Sequence, residues 1–322
     1  MRSLIKLFES LFYFGLFLFF NIILKFSLES RQKAIKFRTQ LISNDQPNPK
    51  KVHHICWIFD KNSTYQVLIS FCSIIKHNPN DNFIFHFIIP PLADLDLQKF
   101  NHFINSGSKI LIHHFQPYQA SLPNFSEEKC RKSSIIIVKI WLKDILADVD
   151  KVLYLDADMI NTAPLSELWN YNLHGKTLAA TNRIHLKKFW INSGFVYYNL
   201  DDLRKRPKRL FNCASKIYPC NVDDSWHWFC NRGKFLVVPY RYNVEFIAMI
   251  HKKKRTEDEI YEENHAVFYH LKDKENHDFY NIKRSELCNL GYVKQLKNIL
   301  PIMEKLYDIR EWVDSELSNA IK

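Results

Sequence analysis

Short apolar runs alternate with helical periodicity between residues 54 and 113, and this alternation restricts the possible folds more than any other feature of the sequence. The runs 54–59, 83–89 and 109–113 have the length and composition of buried strands. The stretch after Asp60 and residues 95–104 repeat apolar side chains at helical spacing. An order of strand, helix, strand, helix, strand is typical of a parallel sheet covered by helices. The sequence therefore predicts an α/β fold.

A fourth strand, 152–155, is predicted after a helical stretch at 134–146, and it ends directly at Asp156. The later pattern is less regular and has no internal repeat. It predicts strands at 178–181, 195–200 and 235–238, a helix at 210–217, and a helical segment at 287–317 in which Pro301 starts a second helix after a break.

Asp156 and Asp158 are the main candidates for a metal site. Side chains two residues apart in an extended chain point to the same side, so both carboxylates can contact one ion. Carboxylate oxygens suit Mn²⁺ or Mg²⁺, and such an ion can also bridge the two phosphates of a nucleoside diphosphate. An aspartate after a strand is also ordinary turn chemistry, so the pair by itself leaves both interpretations open.

The two aspartates and Asp60 follow the carboxyl ends of predicted strands. In open α/β sheets, ligands bind in the crevice beyond those ends. The chain has only six glycines and neither of the glycine-rich phosphate-binding motifs. A diphosphate bound at this edge would need another source of positive charge.

Four stretches carry a likeness to a known family. They are residues 60–65, the helix with Lys139, residues 155–158, and Asn192-Ser193-Gly194 with Asp223-Asp224 downstream. Together they resemble glycosyltransferase family 8, the retaining enzymes that include bacterial lipopolysaccharide galactosyl- and glucosyltransferases and glycogenin-like proteins. The likeness covers about residues 54–277, roughly two thirds of the chain. It implies a GT-A type fold, a Rossmann-like mixed open sheet flanked by helices, and a UDP-sugar donor.

The resemblance also implies a donor-binding set. Asp60 and Asn62 would contact the base or ribose of uridine, and Tyr65 is a stacking partner. Residues 192–194, at the start of another strand, would contact the donor as well.

Three residues are implied to act on the transferred sugar. Lys139 stands where the family presents an arginine to the donor; lysine keeps the charge but loses the bidentate fork. Asp223 would bind the hexose, and Asp224 replaces the amide that faces the anomeric carbon. A carboxylate there can stabilise an oxocarbenium ion or act as nucleophile, so the covalent and same-face routes of retaining transfer both stay open.

His270 is implied as the third metal ligand. It opens the segment that fits the family's H-x-x-G-x-x-K-P-W motif. The glycine, lysine and proline of that motif are replaced by Asp273, Asn276 and His277. The diphosphate contacts of the motif are therefore not preserved, and Lys272 or Lys274 is expected to supply the missing charge.

Composition excludes several other classes of protein. The net charge of +11 includes basic clusters at 204–206, 208–209 and 252–255, which fit a solvated face or an anionic membrane surface. No zinc finger, RNA-recognition signature or basic-aromatic interleaving accompanies them, so no nucleic-acid partner is expected. The seven cysteines contain no C-x-x-C pair, which argues against a disulfide framework or zinc site, and Cys56 and Cys72 are expected in the core.

The N-terminal segment is a candidate membrane anchor. Residues 10–26 are uncharged, and these 17 positions would form a helix of roughly 25 Å, slightly short of a thin bilayer. The residues after them offer a poor cleavage site, which favours an uncleaved anchor. We expect a single-pass, membrane-associated protein, of the Golgi or ER type II kind in a eukaryote and otherwise on the cytoplasmic face of an inner membrane. The flanking charges do not fix its orientation.

The expected organisation is a tail with the anchor at 1–35, a stem at 36–51, a catalytic domain at 52–285 and a helical tail at 286–322. The expected function is retaining transfer of a hexose from a UDP-sugar to a glycan, lipid-linked sugar or protein acceptor, with Mn²⁺ or Mg²⁺ bound. One alternative is a catalytically degenerate member that binds sugars or partners. Another is a metal-dependent phosphohydrolase, a class that carries its Asp-x-Asp on the first strand.

Overall fold

The computed structural model describes residues 38–41, 52–90, 96–115, 138–139, 141–182, 191–205, 235–251, 255–271, 279–281, 283, 286 and 296–320. The predicted anchor, the helix predicted at 210–217, and Asp223, Asp224 and Lys274 lie outside these residues. None of the described helices is long and apolar enough to cross a membrane. The anchor therefore stays a prediction.

Eight of the described strands form one mixed sheet. They are β1 (Arg38–Leu41), β2 (Val52–Ile58), β3 (Asn82–Ile89), β4 (Lys109–His114), β5 (Lys151–Leu155), β7 (Leu178–Asn182), β8 (Ile191–Asn199) and β9 (Phe235–Val237). Their order in the sheet is β1-β4-β3-β2-β5-β8-β7-β9. The strands β4, β3, β2 and β5 are parallel, which confirms the predicted parallel block, whereas β8 pairs antiparallel with both β5 and β7. The protein is thus a mixed α/β fold.

Helices cover both faces of this sheet. They are α1 (Thr64–His77), α2 (Gln98–Asn101), α3 (Leu142–Ile145), α4 (Leu200–Arg204), α5 (Phe246–His251), α6 (Glu257–Asn264) and α7 (Leu296–Ala320). Successive residues of a strand point to opposite faces, so Ile55 and Trp57 join the core under α1 and α7, while Cys56 joins the core under α3 and α4. Cys56 and Cys72 are buried, as predicted.

Aromatic rings fill the core between α1 and the parallel strands. Phe71 of α1 lies 4.6 Å from Phe85, 5.9 Å from Phe87 and 5.3 Å from Phe100, measured between ring centroids. These four side chains are fully buried. Burying each one stabilises the fold by about 2–3 kcal/mol.

Several sequence predictions are corrected by the structure. The helix predicted at 95–104 contains only one α-helical turn, α2, because the hydrogen bonds Phe103 N to Phe100 O and Ile104 N to Asn101 O span three residues rather than four. The described part of the stretch predicted at 134–146 likewise contains one α-helical turn, α3.

Two predictions about the ends of the domain also need correction. Residues 38–41, predicted within a stem, form β1, whose backbone pairs with β4 and covers that edge of the parallel block. Pro301 does not start a second helix: it is the sixth residue of α7. Pro301 has no N–H to donate to the carbonyl four residues earlier, so it removes one backbone hydrogen bond, and α7 continues through it.

Candidate active site at the carboxyl edge of β5

Strand pairing brings the predicted site residues to one edge of the sheet. β2 and β5 are parallel neighbours, with Ile55 opposite Leu153 and Cys56 opposite Tyr154, so the loops after both strands emerge on the same side. On the other flank of β5, the Asp156 N–H donates to the Gly194 carbonyl oxygen at 2.8 Å. The Asp-x-Asp loop therefore lies between the loop that begins at Asp60 and the start of β8.

A second, small sheet carries His270 to this edge. It consists of β6 (Met159–Asn161), β10 (Val244–Glu245) and β11 (Phe268–His270), in the order β10-β11-β6. β11 runs antiparallel to β6 with His270 opposite Met159. The Leu271 N–H also donates to the Asp158 carbonyl oxygen at 2.9 Å. This pairing places His270 directly against the Asp-x-Asp loop, from more than 100 residues further along the chain.

Asp156, Asp158 and His270 form a group suited to one metal ion. The His270 Nε2 atom lies 3.1 Å from Asp158 Oδ1 and 4.0 Å from Asp156 Oδ2. The ligand atoms of the three residues all lie within 4.8 Å of one another. In the part of the chain that the structure describes, this is the group of His, Cys, Asp and Glu side chains that meets the spacing of a metal site.

Two of these residues have one polar atom held by the protein and another facing the group. Asp156 Oδ1 accepts hydrogen bonds from the Tyr154 hydroxyl at 2.5 Å and from Lys139 Nζ at 2.9 Å, which leaves Oδ2 on the side of His270. His270 Nδ1 lies 3.2 Å from Asn243 Oδ1. The buried Nε2 has no aligned hydrogen-bond partner among the described residues. A cation between Nε2 and the carboxylates would give Nε2 a partner, so the residues fit a divalent ion.

Lys139 links the aspartate loop to the start of β8. Its side chain is only 3% exposed, and its Nζ donates to the Ser193 carbonyl oxygen at 3.2 Å as well as to Asp156. The ammonium also lies 4.6 Å from the centroid of the Tyr154 ring. A buried ammonium is costly without such partners, so these contacts fix the position of the side chain.

Neighbouring charges shift the pKa values of Asp156 and His270. Burial and the charge of Asp158 raise the pKa of Asp156. The Lys139 ammonium, His270 and the Tyr154 hydroxyl lower it by more, so the net pKa lies below the ordinary value. Burial lowers the pKa of His270, yet the charges of Asp158, Asp156 and Glu245 raise it above the ordinary value overall. Asp156 thus stays ionised at neutral pH, and the negative charges that favour a proton on His270 also favour a cation.

Gly194 is required by the close approach of the imidazole. A Cβ atom at this position would lie 2.6 Å from His270 Cε1 and 3.0 Å from His270 Nδ1. Next to it, the Asn192 side chain donates to Glu245 Oε1 at 2.6 Å and accepts from the Gly194 N–H at 2.8 Å. Asn192 and Ser193 are buried at 3% and 4% exposure. The structure therefore places this segment tightly against the metal group.

The loop predicted to bind uridine lies at the carboxyl end of β2. Asp60 Oδ1 accepts from the Asn62 N–H at 2.9 Å and caps a 3₁₀ turn that leads into α1. Asn62 is exposed, Asp60 is partly exposed, and Tyr65 packs partly against the main core. Asp60 and Asn62 are thus accessible at the edge where the ligand is expected.

Three residues of this network were not identified from the sequence: Tyr154, Asn243 and Glu245. Tyr154 could have been found, because it lies two residues before Asp156 in an extended strand and so points to the same side. Asn243 precedes a strand of only two residues, and Glu245 lies in that strand. A strand this short has no periodic pattern of apolar residues by which the sequence could reveal it.

Several solved structures share the fold of this protein. The galactosyltransferase LgtC, solved with donor and acceptor sugar analogues, matches with a TM-score of 0.59 and 16% identity over 76% of this chain and 95% of that one. GlyE of Streptococcus pneumoniae TIGR4 matches with a TM-score of 0.56 and 16% identity over 82% of this chain and 64% of that one. Mouse xyloside xylosyltransferase 1 matches with a TM-score of 0.51 and 14% identity over 69% and 98%. At these identities the likeness shows a GT-A type glycosyltransferase fold.

The sequence then gives the family. The chain belongs to glycosyltransferase family 8, whose model, "Glycosyl transferase family 8", matches residues 54–274. Membership confirms the resemblance inferred from the motifs and argues against the phosphohydrolase alternative.

Curated relatives are similar over part of their length. Probable galacturonosyltransferase-like 4 of Arabidopsis thaliana is 28% identical over 141 residues, which are 41% of this chain and 38% of the relative. Probable galacturonosyltransferase-like 3 of the same plant is 23% identical over 174 residues, 49% of each chain. The chain thus spans less than half the length of either relative.

Proposed function

We propose that this chain transfers a hexose or hexuronic acid from a UDP-sugar to a glycan, lipid-linked sugar or protein acceptor, with retention at the anomeric carbon. The observation that carries the proposal is the convergence of Asp156 Oδ2, Asp158 Oδ1 and His270 Nε2 at the edge of the sheet where ligands bind in α/β folds.

Mn²⁺ is the ion that we propose for this group, with Mg²⁺ as the substitute. Two carboxylates and an imidazole match the mixed oxygen and nitrogen preference of Mn²⁺, whereas Mg²⁺ prefers oxygen alone. Such an ion stabilises the charge that develops on a departing diphosphate. The protein holds Asp156 through Tyr154 and Lys139, so the ligand is preorganised before the ion binds.

The donor is proposed to lie between the loop after β2 and the start of β8. Asp60 and Asn62 would bind the nucleoside, and Asp223, Asp224 and Lys274 are proposed to contact the sugar and diphosphate. Two relatives are named as probable galacturonosyltransferase-like proteins, so UDP-galacturonic acid belongs among the donors to be tested beside UDP-glucose and UDP-galactose.

A donor screen tests this proposal. UDP release from a panel of UDP-sugars is measured with Mn²⁺, with Mg²⁺ and with EDTA, for the wild-type chain, Asp158→Asn and the matched surface control Asp148→Asn. We expect release with at least one donor, loss of release with EDTA or Asp158→Asn, and no change in Asp148→Asn. Calorimetric binding of a donor without hydrolysis or transfer would instead favour the degenerate, sugar-binding alternative.

The membrane anchor at residues 1–35 is a separate proposal, motivated by the uncharged segment 10–26. We expect the full chain to sediment with membranes and to resist extraction with alkaline carbonate. Release into the soluble fraction by carbonate would contradict an inserted segment.

A further inference from the structure

The side chains of Asn243 and Glu245 contact two residues of the candidate site, His270 and Asn192. Asn243 ends the 3₁₀ turn Tyr240–Tyr242, and Glu245 lies in β10. Asn243 Oδ1 lies 3.2 Å from His270 Nδ1, and Glu245 Oε1 accepts from the Asn192 amide at 2.6 Å. Asn243 is fully buried and Glu245 is 6% exposed. These side chains are therefore placed to hold other residues rather than to contact solvent.

The backbone around Asn243 is itself fixed. The Asn243 N–H donates to the Tyr240 carbonyl oxygen at 2.9 Å, which closes a 3₁₀ turn. The Glu245 N–H donates to the Tyr240 hydroxyl oxygen at 3.0 Å. β10 pairs in parallel with β11, with Glu245 opposite His270. Asn243 thus directly precedes β10, and the pairing of β10 with β11 sets its position relative to His270.

The contact with Asn243 determines which nitrogen of His270 carries a proton. An amide oxygen only accepts hydrogen bonds, so the imidazole nitrogen that faces it must be the donor. With the hydrogen on Nδ1, Nε2 of the neutral ring carries the lone pair. Nε2 is the atom that faces Asp158 at 3.1 Å.

The other side of the imidazole is held by the backbone. A Cβ atom on residue 194 would lie 2.6 Å from His270 Cε1, so the ring packs against Gly194 as closely as a glycine permits. The ring is therefore confined between an amide and a glycine backbone, and its orientation is set before any ion binds.

We propose that Asn243 is a positioning residue for the cation: it fixes the tautomer and orientation of His270 so that Nε2 presents its lone pair to the ion. This inference rests on the proposed function, because it assumes that Asp156, Asp158 and His270 bind a cation. Partners that orient a metal-bound histidine typically change metal affinity by about 10- to 100-fold when they are removed.

Two substitutions separate the acceptor role of Asn243 from its role in packing. Asn243→Asp keeps an oxygen acceptor of nearly the same shape and offers no donor. Asn243→Leu keeps the volume and removes the acceptor. Asn199→Leu is the matched control, because the Asn199 side chain bonds Leu173 O and caps α4 at the opposite end of β8.

The experiment is a calorimetric titration of the full chain with Mn²⁺, without donor, for the wild type and the three variants. We expect Asn243→Leu to weaken binding by about 10-fold or more, and Asn243→Asp and Asn199→Leu to stay within about threefold of the wild type. Equal affinity in the wild type and Asn243→Leu, or equal weakening in Asn243→Leu and Asn243→Asp, would overturn the inference. Absence of Mn²⁺ binding by the folded wild type would overturn the metal site itself and, with it, the proposed function.

A spectroscopic readout does not depend on whether the Asn243 variants fold. Long-range ¹H–¹⁵N correlation spectra of the metal-free wild type, at a pH where the imidazole is neutral, identify the protonated nitrogen of each histidine, and His270→Gln assigns the signal. We expect the hydrogen of His270 on Nδ1. A hydrogen on Nε2 would contradict the role of Asn243.

Discussion

The parallel strands β4-β3-β2 and the strands around β5 and β8 bury different kinds of side chain. The parallel block packs the rings of Phe71, Phe85, Phe87 and Phe100 into a dense core. The region around β5 buries a polar network in which Lys139, Asp156 and His270 are held by hydrogen bonds. Apolar burial stabilises a fold, whereas buried charges cost stability unless they are paired. The comparison indicates that the parallel block contributes apolar core, whereas β5 and β8 contribute both apolar core and the polar network of the site.

The division is not complete, because the parallel block also contains two buried histidines and a third that is partly buried. His54 Nδ1 lies 2.9 Å from His86 Nε2, and His86 Nδ1 lies 3.0 Å from His113 Nε2, so the rings form a hydrogen-bonded chain across β2, β3 and β4. Burial lowers the pKa of all three, and that of His113 to about 4. This chain makes the parallel block sensitive to acid.

Removing one ring from the parallel block should give the largest loss of stability. Phe71→Ala removes a fully buried ring that contacts the rings of Trp57, Phe85 and Phe87. We expect the free energy of unfolding to fall by about 3–5 kcal/mol in urea titrations. Where the variant is still folded, its affinity for Mn²⁺ should match the wild type. A large change in Mn²⁺ affinity would mean that the two regions are not separable.

A substitution in the candidate metal site should have the opposite effect: it should remove activity and leave stability unchanged. Asp158→Asn deletes a metal ligand and also relieves its repulsion with Asp156, so we expect kcat/KM for donor hydrolysis to fall by about 100-fold or more with little change in Tm. Asp156→Asn is a poorer test, because the buried Lys139 would lose its carboxylate and the fold would be destabilised as well. Asp148→Asn is the control, and full activity in Asp158→Asn would contradict the metal site.

Acid should destabilise the parallel block through the histidine chain. The folded-state pKa of His113 is about 4 against 6.5 unfolded, so the unfolded chain binds more protons and stability is lost as pH falls below about 6.5 toward 4. For His113 the loss between pH 7 and pH 5 is about 2 kcal/mol. Lys109 lowers the pKa of His54 and His86, Asp150 raises that of His54, and His114 lowers that of His113.

The comparison that isolates this effect uses His113→Gln, which does not titrate. Free energies of unfolding are measured at pH 7 and pH 5 for both proteins, so that contributions from other groups, including the raised pKa of His270, cancel in the difference. We expect the loss between pH 7 and pH 5 to be smaller in the variant by about 2 kcal/mol. An equal loss in both proteins would rule out His113 as a source of the acid sensitivity.

The smallest expected effect concerns Tyr154 of β5. Tyr154→Phe removes the hydroxyl that donates to Asp156 Oδ1 and keeps the ring beside Lys139. We expect Mn²⁺ affinity to weaken by about 10-fold, since a hydrogen bond to a charged group contributes about 1.5–3 kcal/mol and Lys139 still holds the carboxylate. Tyr198→Phe, on the neighbouring strand, is the control. Unchanged affinity in Tyr154→Phe would show that Lys139 alone orients Asp156.

The sequence predicted the strands of the parallel block better than the elements that build the site. β2, β3, β4 and β5 were predicted because each is a continuous apolar run that depends on local composition. The small sheet of β6, β10 and β11 was not predicted, because strands of two or three residues are defined by pairing partners far away in the chain. His270 was identified through the family resemblance alone, and Asn243 has no signal in the sequence. Residues that orient a ligand are fixed by tertiary contacts, so their identification needs the structure.

The central claim is that Asp156, Asp158 and His270 bind one divalent cation. The most direct test is a crystal structure of the chain with Mn²⁺, with anomalous data that locate the ion. We predict a single strong peak at coordinating distance from Asp156 Oδ2, Asp158 Oδ1 and His270 Nε2, absent in Asp158→Asn. A peak elsewhere, or none at this group with Mn²⁺ in excess, would contradict the account.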